Sequence, residues 1–181
     1  MQHETNNCHF IDTPGDTCKT FLSNTILATV REKGDIAIAV STTAIAALLL
    51  HGGRTAHSKF QLPLDCKPEM VCNIDARSKK AEIIRLAKVI IWDEAPMANR
   101  YLFEALDRTC QDIRECDKPF GGITIVLCGD FRQILPVIIR GGRPQIVNSC
   151  LKKSYLWHYV NVHRLTISQR ITNFTSNNNN E

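Results

Sequence analysis

"FIDTPGDTCKT", residues 10–20, is the stretch whose reading decides the fold. A short apolar run ends in Thr13-Pro14-Gly15, the chain turns, and Cys18-Lys19-Thr20 opens a helical pattern. Strand, tight loop, Lys-Thr and helix is the arrangement that usually holds a polyphosphate. Free backbone N–H groups and the dipole at a helix N-terminus favour an anion there. A lysine in such a loop reaches the phosphates, and the hydroxyl after it meets a divalent cation. The usual spacing, G-x-x-x-x-G-K-[ST], has glycine at both ends. Here those places hold Thr13 and Cys18. Taken alone, the stretch reads equally as an ordinary strand–turn–helix with a capping Asp or Thr.

The rest of the chain decides for an open α/β sheet. Apolar runs of strand length occur at His9–Asp12, Ile36–Val40, Val89–Trp92, Ile123–Cys128 and Val160–Leu165. "IAIAV", "VIIW" and "ITIVL" are apolar on both faces, as in parallel strands covered on both sides. Helical periodicity fills the intervals at Lys19–Lys33, Ser41–Leu50, Ser78–Ala87 and Asn99–Cys116. Gly34 stands where a C-terminal cap belongs, and Leu102, Leu106, Cys110 and Ile113 form one stripe. Strand–helix alternation predicts a mostly parallel sheet with helices on both faces.

Two of these strands end in chemistry-bearing residues. "VIIWDEAPM", residues 89–97, closes on Asp93-Glu94. Ligands of an open parallel sheet gather at the carboxyl ends of its strands. There Asp93 can hold Mg²⁺ and Glu94 can orient and deprotonate a water; the bland alternative is a solvated acidic loop. "IVLCGDFRQILPV", residues 125–137, ends in Gly-Asp-Phe-Arg-Gln. Gln133 can sense a terminal phosphate, with Asp130 and Arg132 tying the loop to neighbouring strands; the alternative is a polar turn.

Composition sets outer bounds. With 181 residues, 44% hydrophobic and 22% charged, the chain suits one soluble domain with a sizeable core. A net charge of +4 permits a nucleic-acid partner without arguing for one. Eight cysteines invite a zinc or disulfide reading. The spacing opposes it: no C-x-x-C pair occurs, and the pairs Cys66/Cys72 and Cys110/Cys116 are each separated by five residues. Reduced thiols and no zinc are expected. The polar start and the lack of a membrane-length apolar run predict an intracellular chain with no membrane partner. Residues 1–172 are expected to form the domain and 173–181 a disordered polar tail, and the abrupt start reads as a fragment.

"FIDTPGDTCKTFL", "STTAIAALLLHGGRTAHSKF", "IIWDEAPM", "FEALDRT", "FGGITIVLCGDFRQILPV", "SYLW" and "LTISQRI" follow one another at characteristic spacing. In this the chain resembles the first RecA-like motor domain of the petite-integration-frequency (Pif-type) DNA helicases. These are superfamily-one enzymes that also occur fused in Helitron transposons. The resemblance spans residues 9 to about 171. It implies a P-loop NTPase fold and an ATP- and Mg²⁺-dependent motor moving 5′ to 3′ on single-stranded DNA. The implied roles are repair, recombination and telomere maintenance, in nucleus or mitochondrion. The loop Pro14, Gly15, Asp16, Thr17 and Cys18 would bind nucleotide with Lys19 and Thr20. Thr20 and Asp93 would hold the metal. Glu94, Gln133 and Arg170 would be catalytic. Thr43, Arg54, Thr55, His57, Lys59 and Phe60 would line the DNA channel, where Arg54 or Lys59 meets phosphates and His57 or Phe60 stacks on bases. For the two rings, core packing is an equal alternative.

The chain departs from this pattern. The family loop reads Gly-Pro-Gly-Gly-Thr-Gly-Lys-Thr, and Thr13, Asp16 and Cys18 replace three of its glycines. A non-glycine residue forced into a glycine conformation costs on the order of 1–3 kcal/mol. A carboxylate about 4 Å from a phosphate adds roughly 1–4 kcal/mol of repulsion near a surface. Cys128 replaces another family glycine, and Gln169 a usual methionine. The upstream adenine-binding segment and the second motor domain, which closes on ATP, are missing. A motor domain impaired in this copy is therefore expected. The alternatives are an inactive transposon-derived remnant and a non-catalytic nucleic-acid-binding module.

Overall fold

A computed structural model describes residues 7–13, 18–65, 67–133, 135–138 and 141–165. Six strands form one parallel sheet in the order β3-β2-β4-β5-β1-β6. They are β1 (Cys8–Asp12), β2 (Ile36–Ser41), β3 (Arg54–Thr55), β4 (Ala87–Asp93), β5 (Thr124–Gly129) and β6 (Val160–Arg164). Between them run α1 (Lys19–Glu32), α2 (Ala44–Leu48), α3 (Ala56–Phe60), α4 (Lys79–Leu86), α5 (Arg100–Arg114) and α6 (Arg143–Ser149).

The both-face apolar runs became the central strands for the expected reason. Along β4, Ile90 and Trp92 point into one core, with Val40 and Leu127 and the helices α3, α4 and α5. Val89 and Ile91 point into the other, with Ala39, Cys128 and Leu27 of α1. The predicted stripe of α5 is buried throughout. α1 ends in a Schellman turn: the Gly34 N–H donates to the Arg31 carbonyl (2.9 Å) and the Asp35 N–H to that of Val30 (3.3 Å). Gly34 supplies the left-handed residue, at φ 80°.

Several expectations needed adjustment. The helix expected from Ser41 begins at Ala44, because Ser41 completes β2 and Thr43 is the N-cap, accepting from the Ala46 N–H. The two-residue β3, α3 and α6 carry too little periodicity to stand out in the sequence. β6 is largely exposed, and among the described residues it is an edge strand paired with β1 alone.

Buried carboxylates on α5 fasten the C-terminal half. Asp107, fully buried, accepts from the Phe120 N–H (2.6 Å) and the Tyr155 hydroxyl (2.6 Å). Glu104 accepts from the Ser154 hydroxyl (2.8 Å). "FEALDRT" thus holds "FGG" and "SYLW" by hydrogen bonds.

Candidate functional site

Because every strand points the same way, β1, β4 and β5 deliver their last residues to one edge. α1 starts at that edge, with Lys19 as its first residue. The Lys19 ammonium lies 2.8 Å from Asp93 Oδ1 and also pairs with Glu94 Oε1. Thr20 follows in the first turn of α1. Gln133 sits on the loop leaving β5, its amide donating to Asp130 Oδ2 at 3.4 Å. Among the described residues the direct ion pair of Arg132 is with Asp130 of its own loop (2.8 Å), while Asp12 at the end of β1 acts on it from farther away. The β1–β6 tie is Asp12 with Arg164, at 3.3 Å.

The electrostatics follow from burial. Burial alone works against the Lys19 charge, but Asp93 and Glu94 outweigh it and raise the ammonium's pKa. Asp93 is 2% exposed, and burial lifts its carboxyl above the usual range against the pull of Lys19 and the Glu94 N–H. Its buried carboxylate faces a cation, and Thr20 stands on the adjoining turn. These are hard oxygen donors of the kind Mg²⁺ prefers, so the residues fit that ion.

Cys18 stands at φ 52°, ψ 29°, in the left-handed region that the replaced glycine would enter without strain. Thr13 differs: its side chain is buried and its N–H donates to the Gly129 carbonyl at 3.1 Å. Cys128 is enclosed beside Ser23 of α1, and burial pushes its thiol up to about 12, so it is an inert filler of the core. Pro14, Gly15, Asp16, Thr17 and Arg170 lie outside the described residues.

Gly129 joins the two acidic loops. It adopts φ 153°, and a Cβ there would come within 2.4 Å of Pro96 Cδ in the turn after Glu94. Gly129→Ala is expected to cost roughly 2–4 kcal/mol, from strain and overpacking together. Urea denaturation checks this, and a loss below the usual scatter of surface substitutions would mean the turn simply moves aside.

Beside the edge strand β3, Arg54, Lys59 and Lys80 surround a cavity of about 270 Å³ lined also by Phe60 and Ile84. Burial, then Arg54, Lys80 and Arg31, hold the Lys59 pKa down, as in a crowded group of cations. Lys80 escaped the sequence reading. The signal was a Lys-Lys pair in the first turn of α4, where the helix dipole disfavours cations. Thr43 and Thr55 cap α2 and α3. His57 is half-buried, and burial lowers its pKa. Phe60 is corrected: it is 1% exposed, stacked on Trp92 with ring centroids 6.3 Å apart, and is a core residue that cannot stack on a base.

The profile of the PIF1-like helicase family matches residues 1–181. The chain belongs to that family. The uncharacterized protein 030L of Invertebrate iridescent virus 6 is 38% identical to this chain over 140 residues, covering 74% of this chain and 26% of that protein. The ATP-dependent DNA helicase RRM3 of Saccharomyces cerevisiae is 34% identical over 146 residues, covering 78% and 20%. The crystal structure of Bacteroides Pif1 bound to single-stranded DNA superposes with a TM-score of 0.77 at 24% identity, over 91% of this chain and 39% of that one. The fold is thus that of the Pif1 RecA-like domain. The PIF1-like chain spans about a quarter or less of these two curated relatives.

Proposed function

We infer that this chain is the first motor domain of an ATP-dependent DNA helicase. The observation that carries the reading is the meeting of Lys19 with Asp93 and Glu94 at the edge where α1 begins. The relative named as an ATP-dependent DNA helicase and the fold shared with a DNA-bound Pif1 support it. Residues 1–172 form the motor domain in this reading, and a second motor domain on another segment completes the ATP site.

Lys19 leaves the acids for the phosphates when nucleotide arrives, with the loop 14–18 and the first turn of α1 supplying N–H donors. Thr20 and Asp93 would hold Mg²⁺, which would supply positive charge against the phosphates. Glu94 takes the proton of the attacking water. Gln133 senses the γ-phosphate, and Arg170 supplies further positive charge. Thr43, Arg54, Thr55, His57, Lys59 and Lys80 face single-stranded DNA, the cations on its phosphates. The whole enzyme moves 5′ to 3′ and serves repair, recombination and telomere maintenance in nucleus or mitochondrion.

A second reading, a binding module or remnant without turnover, is favoured by two observations. Cys18 is strained, and Lys19 is already neutralised by two acids. Calorimetric titration of the chain with ATP and Mg²⁺ separates the readings. Asp93→Asn should weaken Mg²⁺-dependent binding about tenfold to a hundredfold, the loss of a charged partner worth about 1.5–3 kcal/mol. Glu94→Gln should leave binding nearly unchanged, because glutamine keeps the size but cannot take a proton at neutral pH. Equal losses from the two variants would overturn the division of roles. No binding even at high ATP would favour the module.

A further inference from the structure

We propose that Thr42 and Trp92 form a relay through which α2 and α3 set the placement of the Glu94 peptide. The inference rests on the reading above, in which Glu94 serves ATP and those two segments face single-stranded DNA. Thr42 and Trp92 are positioning residues: they act through Glu94 and touch no substrate.

The starting point is the backbone of Glu94, which stands at φ 53°, ψ 36°. A non-glycine residue keeps a left-handed conformation only where its surroundings over-determine it. Here its N–H donates to Asp93 Oδ1 (2.8 Å), its carbonyl accepts from Thr42 Oγ1 (2.8 Å), and its carboxylate pairs with Lys19. Two further bonds lock Thr42 to the same strand end. The Thr42 N–H donates to the Asp93 carbonyl (3.1 Å), and Thr42 Oγ1 accepts from Trp92 Nε1 (3.0 Å). An indole N–H can only donate, so the Thr42 hydroxyl must turn its own proton to Glu94. The direction of the chain Trp92 to Thr42 to Glu94 is therefore fixed.

Each end of that chain is attached to a segment that reaches outward. Thr42 runs directly into Thr43, the N-cap of α2. Trp92 is packed between Phe60 of α3 and Phe103 of α5, at centroid distances of 6.3 and 4.4 Å. A displacement of α2 moves the hydroxyl that holds the Glu94 carbonyl. A displacement of α3 moves the ring that orients the hydroxyl. Phe60 thus acquires a role from inside the core, coupling α3 to the acid pair.

The test is nuclear magnetic resonance of the 181-residue chain, following the Trp92 indole N–H and the Glu94 amide. Without DNA, Thr42→Val should shift both resonances, and Thr42→Ser, which keeps the hydroxyl, should restore them. Adding a saturating oligothymidylate should move the Glu94 amide of the parent chain. In Thr42→Val that DNA-induced movement should be lost, while oligonucleotide affinity, read by fluorescence anisotropy, stays at the parent value. A purely structural Thr42 would leave the DNA-induced movement intact in any variant that still melts cooperatively, and that result overturns the relay. So does an unmoved Glu94 amide in a parent chain that binds DNA. Failure of the parent to bind oligothymidylate overturns the DNA-facing reading instead, and with it the signal the relay would carry. The DNA-free comparison of Thr42→Val with Thr42→Ser tells that failure apart from a broken link between Thr42 and Glu94.

Discussion

Asp107→Ala is expected to destabilise the domain by roughly 3–5 kcal/mol. The substitution leaves the Phe120 N–H and the Tyr155 hydroxyl without their acceptor. Each buried polar group so orphaned costs about 1–3 kcal/mol, and a cavity adds to that. Domains of this size are stable by about 5–15 kcal/mol in total, so the loss is a large share. Urea denaturation measures it. Asp112→Ala, on the exposed side of the same helix, should change stability by no more than about 0.5 kcal/mol. Asp107→Asn should be milder than Asp107→Ala, since its amide oxygen still accepts from Phe120. It should also change the pH response. Burial raises the Asp107 carboxyl above its ordinary value. A raised folded pKa means that this group favours the fold below its unfolded value and loses that contribution as pH rises through the folded one. The parent should therefore gain on Asp107→Asn as pH falls through that window. A pH-independent difference between the two would mean that Asp107 is not protonated more readily in the fold.

Asp16→Gly with Cys18→Gly is expected to raise ATP affinity about a hundredfold. The left-handed cysteine accounts for roughly 1–2 kcal/mol and the extra carboxylate near the phosphates for about 1–4 kcal/mol. Together these span roughly 2–6 kcal/mol, a range that contains the about 2.7 kcal/mol that a hundredfold change requires. Thr13→Gly does not belong in the repair. Thr13 is buried, so restoring glycine there removes packed atoms. Titration calorimetry in Mg²⁺ decides between the double variant and the parent. Unchanged affinity would show that the replacements are tolerated and that the site is limited by something else, the ion pairs of Lys19 being the first suspect.

The sheet was legible because its central strands are buried on both faces, and such burial writes itself into a sequence as an unbroken apolar run. "VIIW" and "ITIVL" are of that kind. Lys19, Asp93 and Glu94 were legible because strand ends and helix starts put them at one edge whatever the loops do. Less readable was anything resting on a few polar contacts. α2 lost its first residues to β2 because Thr43 caps it. Thr42 had no signal beyond its neighbours, since its role comes from an indole fifty positions away in the chain. Phe60 was left between channel and core because an aromatic beside basic residues looks the same in sequence whether it faces out or in. The outcome was set by Trp92, which offered it a flat partner inside the core.

β1 gives the domain a peculiar order of assembly. Its five residues, Cys8–Asp12, form the first of the described strands, yet they lie between β5 and β6, whose residues are Thr124–Gly129 and Val160–Arg164. A nascent chain must hold this strand unpaired on both sides until more than a hundred further residues have been made. Loop closure of that length comes before any reward, and contacts so distant in sequence slow folding. β1 is therefore secured on both sides only when β5 and β6 are in place, long after it has been made, and the stretch that leads into Lys19 waits with it.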